Sequence, residues 1–266
     1  MSTFLVRFAT FLAPNMLPVY RFIARRVARR LGCATELMVG SSYDQLGSEV
    51  DVGFICGLPY VELARRPRPP VEPLAAPVLQ GERYGGRPVY FSDVVVRRGS
   101  PFRCFADLRG CTWSYNEPGS HSGYGLTRYW LARLGETWGY FGRVVEAGWH
   151  ERSLRLVAGG EVDASAIDSQ VLAVALRDHP DLAARLRVVA VLGPSTIQPV
   201  VAARRLSPAL RSELRAVLLE LADDAEGRAQ LAHGFVERFT AVADEDYDDI
   251  RAMRDAAEAA GCRTLC

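Results

Sequence analysis

Cys111-Thr-Trp-Ser-Tyr-Asn-Glu-Pro-Gly-Ser-His-Ser-Gly123 changes character twice within thirteen residues. Its first five residues, rich in β-branched and aromatic side chains with Ser114 among them, read as a strand. Asn116 to Gly123 is a loop of small and polar residues. Tyr124 to Leu134 then carries apolar residues at helical spacing and stops at Gly135. A strand that passes through a short loop into a helix is the repeating unit of α/β proteins.

The same alternation extends outward in both directions. FLVRFATF (4–11) reads as a buried strand, and Leu17–Leu31 as a helix with Pro18 near its start and Gly32 just past its end. ELMVG (36–40) and VDVGFIC (50–56) are strands, the second opening a short helix after Pro59. Residues 65–77 read as a proline-rich surface connection, followed by PLAAPVL (73–79) and the alternating run PVYFSDVVVRR (88–98). Beyond the central loop, 151–158 is helical up to Gly159-Gly160. VDASAI (162–167) is a strand, and Asp168 opens the helix SQVLAVALRD. LRVVAVLG (186–193) and QPVVAARR (198–205) are strands, and three helical segments close the chain, the last acidic and alanine-rich. No internal repeat is visible.

Composition narrows the function classes. The 266 residues suffice for one large or two small cores. All 32 basic residues are arginine, balanced by 31 acidic ones to a formal charge of +1. This leaves no positive excess to steer the chain onto nucleic acid. No window approaches the roughly 20 apolar residues of a membrane span. Residues 1–13 lack a basic leader region and a small-residue cleavage site, so the chain as it stands reads as cytoplasmic; one trimmed of its leader would read the same and be periplasmic or extracellular. Cys33, Cys56, Cys104, Cys111, Cys262 and Cys266 form no CxxC pair, and no histidine stands beside them at metal-ligand spacing. They read as free thiols, although Cys262 and Cys266 are close enough in sequence to pair under oxidation. No metal and no cofactor is expected. The enzyme signatures are missing too: there is no GxSxG elbow, no HExxH among the four histidines, and no Walker loop in a chain without lysine.

The central loop has two local readings. Ser120 or Ser122 can be an ordinary N-cap. Alternatively, Gly119, Ser120, Ser122 and Gly123 can bring unpaired helix N–H groups and about half a positive charge close to an anion. Several further segments accompany it: Asp51-Val-Gly-Phe-Ile with Pro59-Tyr60, Tyr90-Phe-Ser92, Asp107-Leu-Arg-Gly110, Gly148-Trp-His150, Gly160-Glu-Val-Asp163-Ala and Ala166-Ile-Asp168-Ser. In this order, over about residues 4–240, the set resembles the substrate-binding proteins of phosphate, phosphite and phosphonate ABC transporters, a branch of the type II periplasmic-binding-protein fold.

The resemblance implies an α/β protein of two lobes with a two-strand hinge, the first lobe from 1–93 and 197–266 and the second from 94–196. It implies a small anionic ligand in an interlobe cleft, hinge closure, and an ABC permease or a signalling partner, with no nucleic acid and no membrane insertion. Ser120, Ser122, Gly123 and His150 would hold the acidic head, with Tyr60 and Tyr90 approaching from the first lobe and Asp168 meeting the ligand's far end. His121 stands where the family usually carries threonine, and a protonated imidazole there would strengthen anion binding. A cytoplasmic enzyme on the same fold, similar to those of the menaquinone or thiamine pathways, is the alternative reading.

Overall fold

A computed structural model describes residues 4–265. In chain order it contains β1 (Leu5–Thr10), α1 (Leu17–Leu31), β2 (Ala34–Val39), β3 (Val52–Phe54), α2 (Gly57–Ala64) and β4 (Val71–Leu79). Next come β5 (Val89–Arg97), β6 (Thr112–Tyr115), α3 (Leu126–Arg133), β7 (Arg143–Glu146), α4 (His150–Gly159), β8 (Ala164–Asp168), α5 (Ser169–Asp178), α6 (Pro180–Arg185) and β9 (Leu186–Thr196). The chain ends with β10 (Val200–Ala203), α7 (Pro208–Leu219), α8 (Ala225–Ala232), β11 (Val236–Ala241) and α9 (Asp248–Ala259). It divides into two units: residues 1–89 with 196–248, and residues 90–195 with 249–266.

The first unit is a sheet ordered β11-β4-β10-β3-β1-β2, in which β1 runs parallel to β2 and β3 while β10 and β11 pair antiparallel to their neighbours. Helix α1 covers it with Val19, Tyr20, Phe22, Ile23 and Val27, the i, i+3, i+4 stripe that helical spacing demands. Tyr20 stacks on Phe54 at 4.1 Å, and Gly32 ends the helix in the left-handed conformation, with φ 61°. One expectation needs correction here: residues 71–77 are not a surface connection but most of β4, a buried interior strand flanked by β10 and β11. Proline normally avoids such a place because it withholds a ladder N–H. Here the β10 register shifts between Val200 and Val201, next to the pairing of Pro73 with Val201.

The second unit is a sheet ordered β7-β6-β8-β5-β9. Strands β7, β6 and β8 are mutually parallel neighbours, and β5 pairs antiparallel with β8. Val95, Leu154, Val157, Ile167, Leu172 and Leu186 fill its core. The chain passes between the units at Val89/Tyr90, Ser195/Thr196 and Asp248/Asp249. These units differ from the expected lobes of 1–93 with 197–266 and of 94–196: residues 90–93 and the segment from Asp249 onward group with the second unit. Two contacts explain why: Arg128 Nε donates to the Cys262 carbonyl at 2.7 Å, and Ser195 Oγ donates to Asp249 Oδ2 at 3.0 Å. Strands β7 and β11 and helix α6 were not read from the sequence.

Candidate functional site

Strands β6, β7 and β8 of the second unit each deliver a helix start from their carboxyl ends, to α3, α4 and α5 respectively. Open parallel sheets bind small molecules at that edge, because aligned peptide dipoles and unpaired N–H groups gather there. The loops are stitched together at this edge: Ala147 N donates to the Tyr115 carbonyl at 2.8 Å and Gly148 N to the Asn116 carbonyl at 2.7 Å. His150 is consequently held beside the loop that precedes α3.

The α3 start is not a plain N-cap. Residues His121–Gly125 form a single π turn, with Gly125 N donating to the Ser120 carbonyl at 3.0 Å. Such wide turns are frequent at functional positions. Ser120 Oγ accepts from Gly123 N at 3.1 Å and lies 3.2 Å from Ser122 Oγ, which in turn is 2.9 Å from His150 Nε2. Ser92 Oγ on β5 donates to the Ser122 carbonyl at 2.8 Å and backs the turn from below. Ser120, Ser122 and His150 are all buried. His150 Nδ1 and Asn116 Oδ1 are buried polar atoms with no hydrogen-bond partner among the described residues. Gly123 has a spatial reason to be glycine: a Cβ there would lie 2.1 Å from Asn116 Oδ1 and 3.3 Å from His150 Cε1.

His121 occupies the same turn but faces other chemistry. Its Nε2 lies 2.9 Å from Ser195 Oγ at the end of β9, and its ring is buried. Burial lowers the pKa of His121 to about 4, opposed only in part by the Asp249 carboxylate, and burial lowers that of His150 to about 4 as well. Both imidazoles are therefore neutral at pH 7, so the turn offers neutral donors and helix dipoles rather than a formal cation. In the preceding loop, burial raises the Glu117 pKa, with the Glu146 charge adding to the effect.

The remaining sequence-derived residues divide. Tyr90 is buried in the second unit, its ring centroid 6.5 Å from that of His121. Asp168 is buried at the α5 start, where Oδ1 accepts from Gln170 N at 2.8 Å and Val171 N at 3.2 Å, so it caps that helix. Tyr60 belongs to the first unit; its hydroxyl donates to Asp244 Oδ1 and its ring packs edge-on against Tyr247 at 4.7 Å. Sequence reasoning missed Asn116 as a wall of the turn, as well as Ser195 and Asp249. Cys33, Cys104 and Cys111 are free thiols, while Cys266, and with it the suggested pairing, lies outside the described residues. Among the described residues, no group of three His, Cys, Asp or Glu is placed to hold a metal ion, and no helix is long and apolar enough to cross a membrane.

Two α/β units, one of which gathers three helix starts around a serine-histidine turn, define a type II periplasmic-binding-protein fold. Residues 11–247 match the family model described as the periplasmic substrate-binding protein of phosphonate ABC transporters, and the chain belongs to that family. Among solved structures it is similar to a binding-protein component of an ABC phosphonate transporter from Pseudomonas aeruginosa, with TM-score 0.84 and 19% identity over 100% of this chain and 91% of that one. It is also similar to PhnD1 from Prochlorococcus marinus in complex with methylphosphonate, with TM-score 0.81 and 18% identity over 96% of this chain and 98% of that one. The aliphatic sulphonate binding protein SsuA from Escherichia coli is more distant, at TM-score 0.64 and 15% identity over 97% and 88% of the two chains.

Proposed function

We propose that the chain binds a small anion with a tetrahedral head, of the phosphonate or sulfonate kind, at the π turn of the second unit, and that it serves an ABC permease as the ligand-capturing component. The observation that carries this reading is the Ser120–Ser122–His150 chain at the meeting point of three helix starts. Its members now bond chiefly to one another. An oxyanion would replace those neutral bonds with charge-assisted ones, which are shorter and roughly twice as strong. The helix starts would add a favourable field without any residue having to lose or gain a proton. The interlobe cleft, the contributions of Tyr60 and Tyr90, and closure about a hinge belong to this proposal through the family's fold.

Thermal unfolding with methylphosphonate, phosphate and methanesulfonate tests it. A ligand at about 100 times its dissociation constant adds roughly 2.7 kcal/mol of stability, a shift of several degrees for a chain of this size. Ser120→Ala with Ser122→Ala should remove most of that shift, since each hydrogen bond to a charged group contributes about 1.5–3 kcal/mol. No shift with any of the three anions at millimolar concentration would overturn the proposal.

A further inference from the structure

His121 sits at the head of a hydrogen-bonded chain whose direction can be read atom by atom. Ser195 Oγ donates to Asp249 Oδ2 at 3.0 Å. A carboxylate only accepts, so the single hydroxyl proton of Ser195 is committed to it. Facing Ser195 Oγ at 2.9 Å, His121 Nε2 therefore meets a lone pair and must itself carry the proton. In a neutral imidazole that leaves Nδ1 bare. Nδ1 lies on the side of the π turn, where a Cβ on Gly125 would approach it to 2.8 Å. The ring is thus wedged between Gly125, four residues along its own turn, and a serine 74 residues away.

We propose that Ser195 and Asp249 are positioning residues that fix His121 in its Nε2–H form and thereby hold the turn presenting Ser120 and Ser122. The usual threonine at this place would need no such partners; a histidine does, because its two tautomers put a proton on opposite edges of a buried ring. Ser195 is the last residue of the second unit before the chain leaves it, and Asp249 the first after it returns. The turn is therefore anchored to the strand end and the helix start next to two of the chain passages. The consequence for anions rests on the function proposed above; the consequence for the tautomer does not.

Nitrogen-15 spectra of the histidine rings, recorded on the full chain without ligand at pH 7, separate the two. Wild type should show His121 protonated at Nε2 and bare at Nδ1. Asp249→Asn keeps an acceptor for Ile250 N, which Asp249 Oδ1 now satisfies at 2.7 Å, so the α9 start should persist. Its side-chain amide can donate to Ser195 Oγ and release the serine proton toward His121 Nε2. The Nδ1–H form should then appear, the same tautomer error that an Asp-to-Asn change produces behind a catalytic histidine. Ser195→Ala removes the link itself and should also relax the preference, while His150 stays unchanged in both variants and serves as the internal control. For methylphosphonate, Asp249→Asn should weaken binding roughly tenfold with little change in melting temperature, an effect of the size carried by residues that orient metal-bound imidazoles. A wild-type ring protonated at Nδ1, or a tautomer unmoved in both variants, would overturn the proposal. If the tautomer shifts as expected but wild type binds no anion, the positioning role stands and the binding function falls.

Discussion

Helices α3 and α5 of the second unit begin at the carboxyl ends of neighbouring parallel strands, yet their first turns are satisfied by different chemistry. At α5 the Asp168 carboxylate bonds the backbone N–H groups of Gln170 and Val171, so the helix carries its own anion. At α3 the corresponding duty falls to the Ser120 hydroxyl, which accepts from Gly123 N and otherwise meets the Ser122 hydroxyl, and the turn is widened. A hydroxyl supplies an acceptor without a charge. The field of the helix start is therefore neutralised from within at α5 and left for an external anion at α3. The capping residue, rather than the position of the helix in the sheet, decides which start keeps the field that the proposed binding would use.

The strongest way to break this contrast is to close the open start. Gly123→Ala places a methyl group where Asn116 Oδ1 now lies, 2.1 Å from the new carbon. Overpacking of this kind costs about 1–3 kcal/mol. A displaced turn should reduce methylphosphonate affinity by roughly 100-fold, the scale on which a misplacement of about 1 Å acts. Calorimetric titration and a denaturation midpoint measure the two effects. Unchanged affinity would show that Gly123 is glycine for packing alone.

Acid should act on stability on at least the same scale. His121 and His150 both have their pKa lowered to about 4 in the folded chain by burial. In the unfolded chain they titrate near 6.5. The sign follows directly: between those values the unfolded state binds protons that the folded state refuses, so stability is full above about pH 6.5 and falls as the pH drops toward 4. Each histidine contributes a slope of about 1.4 kcal/mol per pH unit in that window. Urea midpoints at pH 7 and pH 5 should differ accordingly, and His121→Thr should remove one histidine's share. A wild-type midpoint that is the same at both pH values would mean that the rings are exposed or already charged.

The carboxylate-capped start is expected to respond more mildly. Asp168→Ala removes the cap of α5 and should destabilise by about 1 kcal/mol, whereas Asp168→Asn keeps an acceptor and should cost only a few tenths. Chemical denaturation of the two variants checks this. A much larger loss with asparagine than with alanine would show that the charge itself, and not the cap, is what the buried position requires.

These contrasts also show what the sequence could and could not reveal. Helix α1 was legible because Pro18, the apolar stripe and Gly32 are all local signals. The loop from Asn116 to Gly123 was legible for the same reason, together with the order of motifs around it. Strand β4 was not, because Pro73 and Pro77 argue against an interior strand, and only the neighbours β10 and β11 override them. Strand β7 is four residues long and only partly buried, which leaves no alternation to read. Ser195 and Asp249 were invisible for a deeper reason: Ser195 meets His121 across 74 residues and Asp249 meets Ser195 across 54, each through a single hydrogen bond, and no periodicity records such links. Tyr60 and Asp168 stood out in the sequence as ligand-contact candidates, but a residue type does not announce whether its polar atom is spent on Asp244, on a helix start or on a ligand.

The smallest expected effect is a null one, and it separates two accounts of His121. A protonated ring beside the anion would make affinity fall as pH rises from about 6 to 9, because both ring nitrogens would donate only at the acidic end. The structure supports the other account. With the pKa of His121 lowered to about 4 and its Nε2 directed at Ser195, the ring stays neutral across that whole range. The same holds for His150, whose burial has the same consequence. Methanesulfonate carries a fixed charge from pH 6 to 9, so any change in its affinity must come from the protein. We expect its dissociation constant to vary by less than about threefold across the range, a difference of under 1 kcal/mol. Methylphosphonate, which loses a second proton near neutrality, should not share that flatness, and the contrast between the two ligands isolates the titration of the ligand from that of the site. If methanesulfonate instead binds tenfold more weakly at pH 9 than at pH 6, and His121→Thr abolishes the difference, the imidazole is a cation in contact with the anion. The open start of α3 would then owe its selectivity to a charge, as α5 does, and the distinction between the two helices would be one of sign alone.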